Sequence, residues 1–127
     1  MTINRKDQIL VVDDSGAMRS IVRKLLAQLG YTNVDEASDG AAALTKINEK
    51  PYALVISDWN MSPMNGQELL EHVRANEKLA ELPFIMMTAQ ADPDKIVDAK
   101  YAGVSSFIGK PFSAEALKDK ISKLAAE

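Results

Sequence analysis

A chain of 127 residues, 46% hydrophobic and 26% charged, has the size and balance of one soluble domain with a single substantial core. A net charge of −3 and a pI near 5.2 argue against a general nucleic-acid binder, which carries a basic surface. The lack of cysteine excludes disulfides, thiolate chemistry and cysteine metal sites, and apolar runs as short as 9–12 and 84–87 cannot span a bilayer. The N-terminus has no apolar stretch of signal-peptide type, so a cytoplasmic protein is expected.

The first element is Ile9–Val12, a continuous apolar run that reads as a strand buried on both faces. It ends in two adjacent carboxylates, Asp13 and Asp14, which repel each other and resist desolvation at the lip of a core. After them Met18, Ile21, Val22, Leu25, Leu26 and Leu29 keep the i, i+3, i+4, i+7 spacing of one helix face, and Gly30 is placed to end it. Residues 33–37 predict a short second strand, and 39–48 a small helix with Ala43, Leu44 and Ile47 inward. The run 53–56 predicts a third strand, which delivers Ser57 and Asp58.

A polar loop with Asn60, Ser62, Pro63, Asn65 and Gly66 then leads to a helix that uses Leu69, Leu70 and Val73. Pro83 opens the fourth run, FIMMT, and 92–101 predicts a fourth helix. A fifth, weaker strand is expected over 104–108. Ser113 is placed as the N-cap of the last helix, which buries Leu117, Ile121 and Leu124; Ala116 at the third position rules out a capping box.

The order is β-α five times over, with no repeat, low-complexity tract or long linker. Hydrophobic strands alternating with helices imply an α/β fold: a doubly wound, five-stranded parallel sheet covered on both faces, with right-handed crossovers. In such sheets ligands bind beyond the carboxyl ends of the strands. Strand 1 delivers Asp13 and Asp14 there, strand 3 Asp58, strand 4 Thr88, and strand 5 leads into Lys110.

With the strands in the order 2-1-3-4-5, the first and third are neighbours and three carboxylates converge. They are tolerable together if a hard divalent cation neutralises them. Mg²⁺ fits best, because it takes oxygen ligands and keeps several waters, and no histidine or cysteine is at hand to favour zinc. A cation with open positions suits a phosphoryl group. Lys110 adds a second positive charge for phosphate oxygens, and Thr88 a hydroxyl donor.

VVDDS after the first strand, VISDWNM around Asp58, TA at Thr88 and KPF at Lys110 together resemble the receiver domains of bacterial two-component response regulators. The resemblance runs over the whole chain and is closest to the stand-alone chemotaxis regulators. It implies a flavodoxin-like fold, for which the order 2-1-3-4-5 is the family's known one. It further implies a single receiver domain over 1–127 with no output domain.

On this resemblance Asp58 is the residue phosphorylated by a sensor histidine kinase. Mg²⁺ would be held by the side chains of Asp14 and Asp58, by Asp13 largely through water, and by the backbone carbonyl of Asn60. Lys110 and Thr88 would hold phosphoryl oxygens, and the Lys110–Pro111 peptide is expected to be cis. Thr88 and Phe107 would form the switch, which alters the face made by the fourth helix, fifth strand and fifth helix. The implied partners are a chemotaxis-type kinase, the flagellar motor switch protein or another downstream protein, and a phosphatase. No nucleic-acid or membrane partner is implied, and a monomer is expected. The chain would be a switch that catalyses its own phosphorylation and dephosphorylation rather than an enzyme.

Three positions depart from the family pattern: Phe107 replaces the usual tyrosine, Pro63 falls one position late in the loop, and Asn65 replaces the common aspartate. Alternative outputs are a phosphate sink or a phosphorelay intermediate. A phosphohydrolase of the haloacid-dehalogenase type would show a DxD pattern after strand 1, and a flavodoxin-type carrier a Ser/Thr/Gly-rich loop; neither is present. His72 is expected away from the acidic edge. Met61, Met64, Met86 and Met87 are read as packing, and Trp59 as a partly exposed loop residue. Lys95, Lys100 and Lys120 are candidates for a partner face.

Overall fold

The computed structural model describes residues 3–88, 97–98, 100 and 102–125. In chain order the elements are β1 (Ile9–Val12), α1 (Gly16–Gln28), β2 (Val34–Ala37), α2 (Gly40–Glu49), β3 (Leu54–Asp58) and α3 (Gly66–Ala75). A 3-10 turn (Glu77–Leu79), β4 (Phe84–Thr88), β5 (Ser106–Gly109) and a C-terminal helix (Ala114–Ala125) follow. The five strands form one parallel sheet in the order β2-β1-β3-β4-β5. The predicted helix over 92–101 lies largely outside the described residues; Val97, Asp98 and Lys100 within it are helical.

Continuous apolar strands serve two cores, because successive side chains point to opposite faces of a sheet. Leu10, Val12, Val55, Phe84 and Met86 face Ala43, Ile47, Leu69, Leu70 and Val73 of α2 and α3. Ile9, Val11, Leu54, Ile56, Ile85, Met87 and Ile108 face Val22 and Leu26 of α1 and Leu117, Ile121 and Leu124 of the C-terminal helix. The register sets Val12 beside both Ala37 and Ser57, so β1, β2 and β3 end level with one another. That level edge is where Asp13, Asp14 and Asp58 leave the sheet.

Helix α1 corrects one expectation. Val22 and Leu26 are fully buried, and Met18, Leu25 and Leu29 pack beside them, but Ile21 is 50% exposed. Each helical residue turns by about 100° from the last, which carries Ile21 a quarter turn off the stripe centred on Val22. The fifth strand starts at Ser106, two residues later than expected.

The helix starts are set by side chains. Ser15 accepts from the Met18 N–H at 3.2 Å, Asp39 from Ala42 at 2.9 Å, and Ser113 from Ala116 at 3.1 Å. At α3 a capping box forms that the polar loop concealed: Glu68 N–H donates to Asn65 Oδ1 (2.8 Å), and Asn65 N–H donates to Glu68 Oε1 (3.2 Å). Asn65 thus serves as an N-cap as well as the aspartate it replaces. The Ser62–Pro63 and Lys110–Pro111 peptides are both cis, the second as the resemblance implies.

Gly66, the first residue of α3, fixes this helix against β3. Its N–H donates to the Trp59 carbonyl at 2.9 Å, and a Cβ there would collide with the Asp58 carbonyl oxygen and come within 2.8 Å of the Met86 sulfur. Gly66→Ala is therefore expected to cost about 1–3 kcal/mol, as overpacking does, read as a lower urea midpoint. An unchanged midpoint would mean that α3 can back away freely.

Candidate functional site

Asp13 follows directly on β1 and is only 1% exposed. Its Oδ1 accepts from the Ser15 N–H at 2.9 Å, and its Oδ2 lies 3.1 Å from the Lys110 ammonium. Asp58, the last residue of β3, is 8% exposed, and its Oδ1 lies 2.9 Å from the same ammonium. Asp14, the next residue after Asp13, is exposed. One carboxylate oxygen from each of Asp13, Asp14 and Asp58 can be chosen so that all lie within 4.8 Å of one another.

Lys110 enters from the loop after β5, anchored by its own N–H, which donates to the Thr88 carbonyl at 2.7 Å. Thr88 is the half-buried last residue of β4, in register with Gly109. Asn60 is exposed in the loop after β3. Phe107 is half-buried on β5, opposite Met86, and packs on the α2/α3 side of the sheet. The pleat sends Thr88 to that same side, since it alternates with Phe84 and Met86. The sheet edge therefore gathers Asp13, Asp14, Asp58, Thr88 and Lys110, with Phe107 one strand over and deeper.

The electrostatics are unbalanced. Among the described residues, three carboxylates, when ionised, face one ammonium. Burial raises the Asp58 pKa above its ordinary 3.8, and the neighbouring Asp13 charge adds to this, while Lys110 opposes it without winning. Burial would lower Lys110, but its hydrogen bonds and charge attraction to Asp58 and Asp13 outweigh that and hold it above its ordinary 10.5. The donor set is all oxygen, closely spaced and short of positive charge, which fits a hard cation such as Mg²⁺.

Other sequence-derived candidates fall elsewhere. His72 is exposed on α3, away from this edge. Met61, Met86 and Met87 are buried, and Met64 is half-buried against Gly40. Trp59 corrects an expectation: it is 7% exposed, in the apolar cluster of Met61 and Leu69, because the loop closes through the Gly66–Trp59 hydrogen bond and turns the ring inward. Lys100 is exposed and Lys120 half-buried, while Lys95 lies outside the described residues. Sequence reasoning missed Arg19, whose Nη1 donates to the Asp13 carbonyl at 2.7 Å. That partner is a backbone atom in the adjoining turn, and the second one, Glu36, lies on β2, so no side-chain motif in the sequence marked the residue.

A family model described as response regulator receiver domain matches residues 9–122. The chain is 46% identical over 117 residues to the chemotaxis protein CheY of Pseudomonas aeruginosa, covering 92% of this chain and 94% of that one. It is 44% identical over 122 residues to the chemotaxis protein CheY-3 of Vibrio cholerae, covering 96% and 94%. Among solved structures it is similar to the Vibrio cholerae chemotaxis protein CheY4, with a TM-score of 0.87 and 33% identity over 94% of this chain and 98% of that one.

The shifted carboxyl has a measurable consequence. Folded Asp58 binds its proton more tightly than the unfolded chain does, so its contribution to stability falls as pH rises from 3.8 through the folded value. Lys110 acts in a different window: its contribution is complete below 10.5 and is lost as pH rises through its higher folded value. In metal-free protein, carboxyl carbon-13 NMR should place the Asp58 midpoint above 3.8, and Lys110→Ala should raise it further. A variant midpoint lower than the parent's would contradict this account.

Proposed function

Since the chain belongs to the response regulator receiver family, we propose that it is a phosphoryl-activated switch whose acceptor is Asp58. The observation that carries the reading is the Lys110 ammonium held 2.9 Å from Asp58 and 3.1 Å from Asp13 beside a third carboxylate. A carboxylate is a competent covalent acceptor once the charge of the incoming group is neutralised.

Asp14 and Asp58 would hold Mg²⁺ directly, Asp13 largely through water and Asn60 through its carbonyl. The occupied oxygens of Asp13, one on the Ser15 N–H and one on Lys110, support its indirect role. When bound, Mg²⁺ supplies positive charge for the phosphoryl oxygens. An Asp58 oxygen attacks phosphorus as the bond to the kinase histidine nitrogen breaks, and the histidine leaves unphosphorylated. Lys110 exchanges its Asp58 contact for a phosphoryl oxygen, and the Thr88 hydroxyl binds another. Thr88 moves toward the phosphate, Phe107 turns inward behind it, and the surface around β5 and the C-terminal helix changes its affinity for a protein partner.

The output we propose is chemotaxis, with the flagellar motor switch protein as target and a chemotaxis-type histidine kinase as donor, all in the cytoplasm. Relatives named as chemotaxis proteins at 44% and 46% identity support it. Phe107 has no hydroxyl to offer that target, so its contribution would be by packing alone.

Incubated with Mg²⁺ and acetyl phosphate, the protein should gain one acid-labile phosphoryl group by intact mass. Asp58→Asn and chelation of Mg²⁺ should each abolish it; label that persists in Asp58→Asn would refute the acceptor assignment. Lys110→Ala should still carry some label but fail to switch. Pull-down with the motor switch protein should strengthen on phosphorylation. Unchanged binding, with label passed on to another histidine protein, would instead mark a phosphate sink or relay.

A further inference from the structure

Resting on the Mg²⁺ reading above, the geometry points to Arg19 as a positioning residue that orients both leading aspartates, with Glu36 as its anchor. Arg19 lies in the first turn of α1, and its guanidinium makes two directed contacts. Nη1 donates to the Asp13 carbonyl at 2.7 Å, and Nε donates to Glu36 Oε1 at 2.9 Å. The other Glu36 oxygen is held by Arg23 Nη1 at 2.6 Å, one helical turn further on. Burial alone would raise the Glu36 pKa, but Arg23 and Arg19 together keep it below the ordinary carboxylate value, so the anchor stays charged.

The Asp13 carbonyl matters because it belongs to the peptide that joins Asp13 to Asp14. That unit is planar, so fixing its oxygen fixes the nitrogen of Asp14 and the direction in which the next residue departs. The preceding peptide is held too: the Asp13 N–H donates to the Ala37 carbonyl at 3.1 Å. Asp13 is thus tied to β2 twice, directly at its N–H and through the Arg19–Glu36 pair at its carbonyl. Asp14 is exposed and gains its aim from the chain before it. A planar guanidinium can bridge a carbonyl and a carboxylate at once, whereas a lysine ammonium is a single point.

Charge and positioning make opposite forecasts here. Arg19 is a positive charge near the cation site, so on charge alone Arg19→Gln would tighten Mg²⁺ binding and Arg19→Lys would leave it unchanged. Positioning requires both to weaken it.

The test is calorimetric titration of the purified full chain with MgCl₂, alongside urea unfolding without Mg²⁺. Arg19→Gln and Arg19→Lys should each raise the Mg²⁺ Kd by about 10-fold, the scale at which groups behind metal ligands act. Glu36→Gln should raise it as well, and should add nothing in the Arg19→Gln background, because it acts through Arg19. Variants that lose urea stability yet bind Mg²⁺ as tightly as the parent would make Arg19 purely structural and overturn the proposal. Should Arg19→Gln not fold, Arg19→Lys and Glu36→Gln decide the matter by the same criterion. A parent chain that does not bind Mg²⁺ would sink the cation site itself, and this proposal with it.

Discussion

One electrostatic constraint organises this molecule: two carboxylates buried at the end of a hydrophobic sheet share a single ammonium. Asp13 and Asp58 are nearly inaccessible, and Lys110 reaches both. Burying a charge is tolerated only when it is paired and hydrogen-bonded, and breaking such a pair leaves an uncompensated charge behind. Lys110 satisfies one negative charge and cannot satisfy the rest. Burial raises the Asp58 pKa, and the neighbouring Asp13 charge adds to that shift. The cleft is stable enough to fold, yet still has use for further positive charge.

The rest of the structure keeps that arrangement in place. A parallel register ends three strands level with one another, so their terminal carboxylates meet without any long loop. Gly66 lets α3 begin against the Asp58 carbonyl, and the Asn65–Glu68 capping box satisfies its first turn. The Thr88 carbonyl receives the Lys110 N–H, which ties the lysine's backbone to the end of β4. Arg19 and Glu36 perform the corresponding task on the far side, tying the end of β1 to β2. Backbone contacts carry most of this positioning, and the reactive side chains are left to face one another.

On the proposed function, the same layout would turn chemistry at the edge into a change at a surface. Thr88 and Phe107 occupy neighbouring strands and the same side of the sheet. Phe107 is only half-buried, beside fully buried Met86. Close-packed interiors move between discrete arrangements rather than deforming smoothly. A hydroxyl drawn toward a new phosphoryl group would open a place for the ring.

Much of this was legible from residues alone because periodicity and chemistry are local. Unbroken apolar runs announced doubly covered strands, and the carboxylates at their ends announced an acidic edge. The fold's layers, and the gathering of Asp13, Asp14, Asp58, Thr88 and Lys110, followed from those two signals. What the sequence could not decide were matters of rotation and of long-range partners. Ile21 matched the helical spacing yet fell off the buried stripe, and Trp59 followed a strand yet turned into the core. Arg19 looked like any helical arginine until the sheet set Glu36 of β2 against the guanidinium that also meets the nearby Asp13 carbonyl. A sequence records which groups a segment carries, whereas a hydrogen bond between residues far apart in the chain exists only once the sheet has set their distance and angle.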